Sequence, residues 1–161
     1  FLHIAAHGLD GFAFAAETLV GQAFGRKDRT VLRKSVKVTS KLAFLLCCIM
    51  AIIFFLTGSS LIDVMTTAED VRSEAKSYIV FIVLVPILGV SAYMLDGIFV
   101  GAMKTKDMRN MMFISLIFYF LALILLVPHF GNIGLWLALL ISFVVRGVTL
   151  TLRYPSLEKS I

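Results

Sequence analysis

The stretch GLDGFAFAAETLVGQAFGRKD, residues 8–28, decides the fold because it is apolar enough to enter a bilayer and yet carries two acids. Asp10 and Glu17 lie seven residues apart. That is close to two helical turns, so a helix presents both carboxylates on one face, about 10 Å apart along its axis. The same face continues as a stripe with spacings of four and three, made of His3, His7, Asp10, Phe14, Glu17 and Gly21. A charge at the membrane centre costs at least about 2.5–3.5 kcal/mol, so the stripe is predicted to face protein or water.

The composition of the whole chain is typical of an integral membrane protein. Its mean hydropathy is +0.97. Hydrophobic residues make up 60% of the chain and charged residues 16%, against about 45–50% and about 25% in soluble domains. The chain begins FLHIAAHG, without the basic segment that opens a secretory signal peptide. We therefore expect a fragment that starts inside or just before a membrane span.

Five apolar segments each have close to the ~20 residues that a bilayer-spanning helix needs. Gly25, Pro128 and Pro155 are the expected stops of the first, fourth and fifth segments. The sequence therefore predicts an all-α, polytopic transmembrane helix bundle with about five spanning helices. Their predicted ranges are 2–24, 42–60, 78–103, 111–127 and 133–152.

Basic residues occur in alternate linkers between these segments. The linker 26–41 holds seven Lys and Arg residues against one Asp, linker 60–75 is mainly acidic, and linker 104–110 is basic again. Cytoplasmic loops carry the excess of Lys and Arg, so we predict that 26–41, 104–110 and the C-terminus are cytoplasmic and that 60–75 lies outside. A basic run in a soluble protein can indicate nucleic-acid binding. Between two spans it is interpreted as a topology determinant in contact with anionic lipid, and no nucleic-acid partner is predicted.

Ionisable residues inside the spans are the candidate functional groups. Asp10 and Glu17 have no Lys or Arg on their face of the first helix, and a carboxylate without a basic partner in a low-dielectric site binds protons more readily. Asp96 and Arg146 are predicted to lie at about the depth of Glu17, roughly 10 Å from the cytoplasmic edge. Arg146 either forms a static ion pair with Asp96 or extends to the interface. We predict proton or cation coupling at Asp10, Glu17 and Asp96.

A second candidate feature is Pro86, followed by Gly89, inside the third span. An interior Pro removes a backbone hydrogen bond and kinks a helix, and interrupted spans often line a transport cavity or form a hinge. The alternative is a Pro without a special role, which is common in membrane helices.

The sequence contains none of the usual signatures of catalysis or of metal binding. There is no nucleophile–base pair, no phosphate-binding glycine loop and no CxxC or HExxH motif. Cys47 and Cys48 are adjacent, so on a helix their side chains diverge by about 100° and do not converge on a metal or on each other. The sequence therefore predicts no catalytic residue, no metal site and no organic cofactor, and the chain is not interpreted as an enzyme.

The segment ETLVGQAFGRKDRTVLRKSV, residues 17–36, carries a family resemblance. Val20, Gly21, Gln22 and Gly25 resemble the VGQ-x-x-G motif that ends the second and eighth helices of the multidrug and toxic compound extrusion (MATE) family. Further segments resemble its DinF-like bacterial branch, and the resemblance covers essentially the whole chain. These segments are LDGFAFAAE at 9–17, LDGIFVGAMKTKDMRN at 95–110 and GNIGLWLALL at 131–140.

This resemblance implies a twelve-helix, multi-pass antiporter of the bacterial inner membrane, built from two six-helix halves around a central cavity. Such a protein exports cationic or amphipathic drugs and xenobiotics in exchange for H⁺ or Na⁺, and the coupling ion takes the place of a cofactor. The five predicted spans would match helices eight to twelve, in the C-terminal half, so the missing N-terminal lobe is an implied partner. Two alternatives stay open: a related lipid-linked oligosaccharide flippase, and a helix-bundle module that transports nothing.

Overall fold

A computed structural model describes residues 2–160, apart from the side chains at positions 2, 4 and 5. This part of the chain forms six α-helices joined by short connections and contains no strand, which confirms the predicted all-α class. The helices are α1 Leu2–Gly25, α2 Arg29–Met65, α3 Glu69–Ser77, α4 Ile79–Gly101, α5 Thr105–Phe130 and α6 Asn132–Lys159.

The predicted membrane bundle is confirmed for four of the five spans. In the described residues, four segments are long and apolar enough to cross a membrane: Arg29–Met65, Glu69–Gly101, Thr105–Phe130 and Asn132–Lys159. Helix α1 has 24 residues, about 36 Å at 1.5 Å per residue, but it is not among the four. Its histidines and acids lower its hydropathy, so its crossing of the membrane stays a prediction.

The start of α2 corrects the predicted linker 26–41. The helix begins at Arg29, not near residue 42, because Asp28 caps it. Asp28 Oδ1 accepts hydrogen bonds from the backbone N–H groups of Thr30 at 2.9 Å and Val31 at 3.1 Å, as N-cap residues do. With 37 residues, α2 is about 55 Å long and exceeds the ~30 Å hydrocarbon core. Most of the basic run is therefore helix rather than loop.

Two of the predicted helix stops are wrong. Helix α5 continues through Pro128 to Phe130, and α6 continues through Pro155 to Lys159. Each proline lies in the last turns of its helix, where one backbone bond is lost and the flanking bonds remain. Gly25 does end α1 as predicted.

Helix α4 occupies the centre of the bundle, where it packs against α1, α2 and α6, whereas α5 packs mainly against α6. Two glycines bring α1 onto α4. A Cβ atom at Gly97 would overlap the carbonyl of Ala13, and one at Gly101 would overlap the carbonyl of Glu17. Small residues allow such close backbone approach between membrane helices. This crossing fixes the register of α1 against α4.

The start of α2 is tied to the end of α6. Arg33 forms an ion pair with Glu158, and Arg29 Nη2 donates a hydrogen bond to the backbone carbonyl of Lys159 at 3.3 Å. The basic end of α2 is therefore held against the C-terminal turn of the bundle.

Candidate functional site

The two acids of α1 lie at the border between its packed and its open face. The packed face consists of Leu9, Ala16, Val20 and Ala23, all buried. Asp10 and Glu17 are half-buried beside it, and neither forms an ion pair or hydrogen bond with the residues that the structure describes. The α1 acids are therefore partly covered by the neighbouring helices, and they have no ion-pair or hydrogen-bond partner among the described residues.

The rest of the predicted stripe is more open than its acids. Phe14 keeps 66% of its surface exposed, and His3 and His7 are exposed. His7 Nδ1 donates a hydrogen bond to the backbone carbonyl of His3 at 2.7 Å, a contact within one helical turn. Phe14 and the two histidines of the stripe are thus left uncovered by the described helices, whereas its acids and Gly21 are half-buried.

Asp96 on α4 is paired with Arg146 on α6. Arg146 Nη2 lies 2.5 Å from Asp96 Oδ2, and Arg146 Nε donates to Asp96 Oδ1 at 3.2 Å. This is the bidentate geometry in which a guanidinium binds a carboxylate most strongly. The two side chains keep only 18% and 23% of their surface exposed. Of the two alternatives for Arg146, the structure has the ion pair.

Tyr93 on α4 interacts electrostatically with both groups of charges, and sequence reasoning missed it. Its hydroxyl lies within electrostatic range of the Asp10 carboxylate and of both charged groups of the Asp96–Arg146 pair. Its ring lies 5.9 Å from that of Phe143 on α6, centroid to centroid. The signal in the sequence was a polar aromatic residue three positions before Asp96, on the same face of the helix.

The predicted depth of Asp96 needs correction. Gly97 abuts Ala13 and Gly101 abuts Glu17, so Asp96 is level with residue 12 of α1. Along the axis that is about 3 Å from Asp10 and about 8 Å from Glu17, at 1.5 Å per residue. The error arose because depth was counted separately on each helix, whereas the glycine contacts set the register. Asp96 therefore lies nearer the level of Asp10 than that of Glu17.

The two predicted hinge residues are packed inside the bundle. Pro86 and Gly89 are buried in α4, which is continuous from Ile79 to Gly101; a Cβ at Gly89 would lie 3.5 Å from the Tyr93 ring. Their role as a hinge stays a prediction.

The family motif takes part in the same helix crossing. Val20 is buried, and a Cβ at Gly21 would lie 3.4 Å from the carbonyl oxygen of Gly101. Gln22 is exposed, and Gly25 is the exposed last residue of α1. The first half of the motif thus packs α1 against the end of α4.

Comparisons with known proteins agree with this architecture. The family model described as MatE matches residues 3–127. DNA damage-inducible protein F of Escherichia coli (strain K12) is 34% identical over 149 residues, which cover 92% of this chain and 32% of that protein. The chain thus spans about a third of the length of this relative. No solved structure matches the chain.

Proposed function

Because this chain belongs to the MatE family of membrane transporters, we propose that it forms part of a secondary antiporter in the bacterial inner membrane. The antiporter exports cationic or amphipathic drugs and xenobiotics in exchange for H⁺ or Na⁺. One observation carries the proposal: Asp10 and Glu17 are half-buried acids on α1 without an ion-pair partner in the described part of the chain.

The coupling follows from the charge of these two acids. In a site shielded from water, an unpaired carboxylate is stabilised either by a proton or by a nearby cation. A substrate cation that binds beside these acids stabilises the ionised form and expels the proton or Na⁺. By linkage, the coupling ion weakens substrate binding by the same factor. That reciprocity is what an antiporter requires.

Asp96 has a different role in this scheme. Its charge is already balanced by Arg146 at 2.5 Å, so it exchanges a proton or cation only if that pair opens. The N-terminal lobe is proposed to cover the open stripe of α1.

The test is ethidium efflux from vesicles that contain the full-length protein, with a pH gradient and a Na⁺ gradient imposed separately. We expect one gradient to drive efflux and the other to drive little. Asp10→Asn and Glu17→Gln should each reduce gradient-driven efflux at least about tenfold, because the amide cannot exchange a proton and no longer attracts a cation. Glu69→Gln, an exposed acid on α3, is the matched control and should transport normally.

Two results would contradict the proposal. If both amide variants, expressed at the normal level, export ethidium as the unaltered protein does, then Asp10 and Glu17 are not the coupling site. If neither gradient drives efflux of any cationic dye, the antiporter function itself fails and the chain is a module without transport.

The orientation is tested by labelling single cysteines in a cysteine-free background. Lys34 lies on the basic part of α2 and Thr67 in the linker between α2 and α3, and both are exposed. The distribution of basic residues predicts a cytoplasmic Lys34 and an external Thr67. An impermeant thiol reagent should label Thr67→Cys in intact cells and Lys34→Cys only after permeabilisation. Labelling of Lys34→Cys but not Thr67→Cys in intact cells would invert the proposed topology.

A further inference from the structure

A cleft of about 410 Å³ lies between α5 and α6. Its volume falls within the roughly 300–1,000 Å³ of ordinary ligand sites. Most of its wall is apolar, and two arginines also line it. The residues used here are Arg109, Met112, Phe113, Leu116, Leu139 and Arg146. Phe113 and Leu116 keep 57% and 45% of their surface exposed, so the cleft is an open groove.

Arg109 gives the groove its net positive charge, because the charge of Arg146 is balanced by Asp96. Arg109 lies in the first turns of α5, where it is exposed and donates a hydrogen bond to Asn110 Oδ1 at 3.3 Å. It forms no ion pair with the residues that the structure describes. Arg146 uses Nε and Nη2 for Asp96. A guanidinium has five N–H donors, so donors remain on Arg146 for another acceptor.

Charge and apolar surface follow one another along a single face of α5. Lys106, Arg109, Phe113 and Leu116 are spaced by three, four and three residues, the spacing of one helix face. The basic residues come first, at the end predicted to be cytoplasmic, and the apolar ones lie deeper. This order matches a molecule with an anionic head at the membrane surface and an apolar tail within the bilayer.

We propose that this groove binds an anionic phospholipid of the cytoplasmic leaflet. The phosphate contacts Arg109, with Lys106 beside it, and an acyl chain lies along Met112, Phe113, Leu116 and Leu139. Basic pockets between membrane helices on the cytoplasmic side suit anionic lipid head groups. A cationic substrate is disfavoured because Arg109 and Lys106 repel it, and a free phosphate ion would leave the apolar wall without a ligand.

The experiment uses the full-length protein in mild detergent, with phosphatidylglycerol and phosphatidylcholine of identical acyl chains as probes and native mass spectrometry as the readout. The unaltered protein should bind phosphatidylglycerol more tightly. Arg109→Gln should weaken phosphatidylglycerol binding about fivefold, the equivalent of ~1 kcal/mol per basic group near an anionic surface. Arg109→Lys should retain most of the binding. Lys159→Gln removes one charge from an exposed position at the end of α6, outside the basic run 26–41, and should leave binding unchanged.

A second variant tests the apolar wall and does not depend on the charge. Leu116→Trp should fill the groove and weaken the binding of both lipids, while glycerol phosphate should not compete with phosphatidylglycerol in any variant. Three results would overturn the proposal: no preference for phosphatidylglycerol, an equal loss in Arg109→Gln and Lys159→Gln, or displacement of the lipid by ethidium. The last result would make the groove part of the substrate path. Because lipid binding is measured without transport, its failure is separate from failure of the proposed antiport.

Discussion

Helices α1 and α4 both carry acids inside the bundle, but among the described residues only the acid on α4 has an ion-pair partner. Asp96 on α4 is held by two contacts from Arg146, at 2.5 and 3.2 Å. Asp10, about 3 Å away in level along the bundle at 1.5 Å per residue, has no ion-pair partner among the described residues. A basic partner stabilises the ionised form of a carboxylate, whereas a carboxylate without one can be stabilised by a proton or a cation. The comparison therefore separates an acid with a basic partner from two acids without one among the described residues, and the coupling role of all three stays a prediction.

Packing explains why Arg146 reaches one helix and not the other. Gly147 brings α6 onto α4, because a Cβ atom there would overlap the Ser91 hydroxyl. Helix α1 crosses α4 elsewhere, at Gly97 and Gly101. Since α4 lies between α1 and α6, the guanidinium of Arg146 meets the α4 acid first. The two acids of α1 remain on a side where the described residues supply no ion-pair partner.

The largest expected effect comes from breaking the pair. Arg146→Gln leaves the Asp96 charge without its partner, and we expect a loss of about 3 kcal/mol in the free energy of unfolding. This is the low end of the ~3–5 kcal/mol for a buried pair, because both side chains keep about a fifth of their surface exposed. Thermal unfolding of the full-length protein in detergent measures it.

Two further variants control this experiment. Arg153→Gln removes an exposed charge from the same helix and should change stability by no more than ~0.5 kcal/mol. The double variant Asp96→Asn/Arg146→Gln should recover much of the loss, since no unpaired charge remains. If Arg146→Gln is as stable as Arg153→Gln, the Asp96–Arg146 pair does not stabilise the protein. The paired acid of α4 and the unpaired acids of α1 would then not differ in their contribution to stability.

The next effect tests the crossing that sets the register of the acids. Gly97→Ala places a methyl group against the backbone of Ala13, and overpacking of this kind costs about 1–3 kcal/mol. Gly11→Ala is the matched control, because no heavy atom lies within 4 Å of a Cβ added there. It should leave the unfolding temperature unchanged or raise it, since Ala exceeds Gly in helix propensity by up to ~1 kcal/mol. Equal unfolding temperatures for the two variants would contradict the close contact.

Local patterns predicted what depends on local chemistry. Apolar length predicted the all-α membrane bundle and four of its spans, and Gly25 marked the end of α1. The N-cap at Asp28 was also within reach, since Asp before a helical segment is an ordinary start signal. It was missed because hydropathy was used to locate the start of α2, and the basic turns are not apolar. Pro128 and Pro155 were predicted to end their helices because each proline was considered without the turns on either side of it. The backbone hydrogen bonds of those turns continue the helix past the proline.

Relations between helices could not be predicted from the same patterns. The level of Asp96 depends on Gly97 and Gly101 meeting α1, which is a tertiary contact between residues more than eighty positions apart. The proximity of Tyr93 to Asp10 depends on the same packing of α1 against α4. Sequence reasoning therefore found the acids but not their arrangement.

The smallest expected effect on stability is the sharpest test of the comparison. Asp10→Asn and Glu17→Gln should each change the free energy of unfolding by no more than ~0.5 kcal/mol, because neither substitution removes a partner. Asp96→Asn should be clearly less stable than either, since it leaves Arg146 unpaired. The measurement is thermal unfolding of the full-length protein in detergent, without substrate.

This small effect on stability distinguishes a defect in folding from a defect in ion exchange. A neutral amide in a membrane helix is easier to accommodate than a charge, so intact folding combined with lost efflux would locate the defect in ion exchange. If Asp10→Asn or Glu17→Gln is instead as destabilising as Asp96→Asn, that acid has a basic partner in the rest of the full-length protein. It would then be held in an ion pair as Asp96 is, and the acids of α1 and α4 would no longer differ in having a basic partner. If both amide variants are as stable as the unaltered protein, then neither α1 acid has a basic partner, and both can bind the coupling ion.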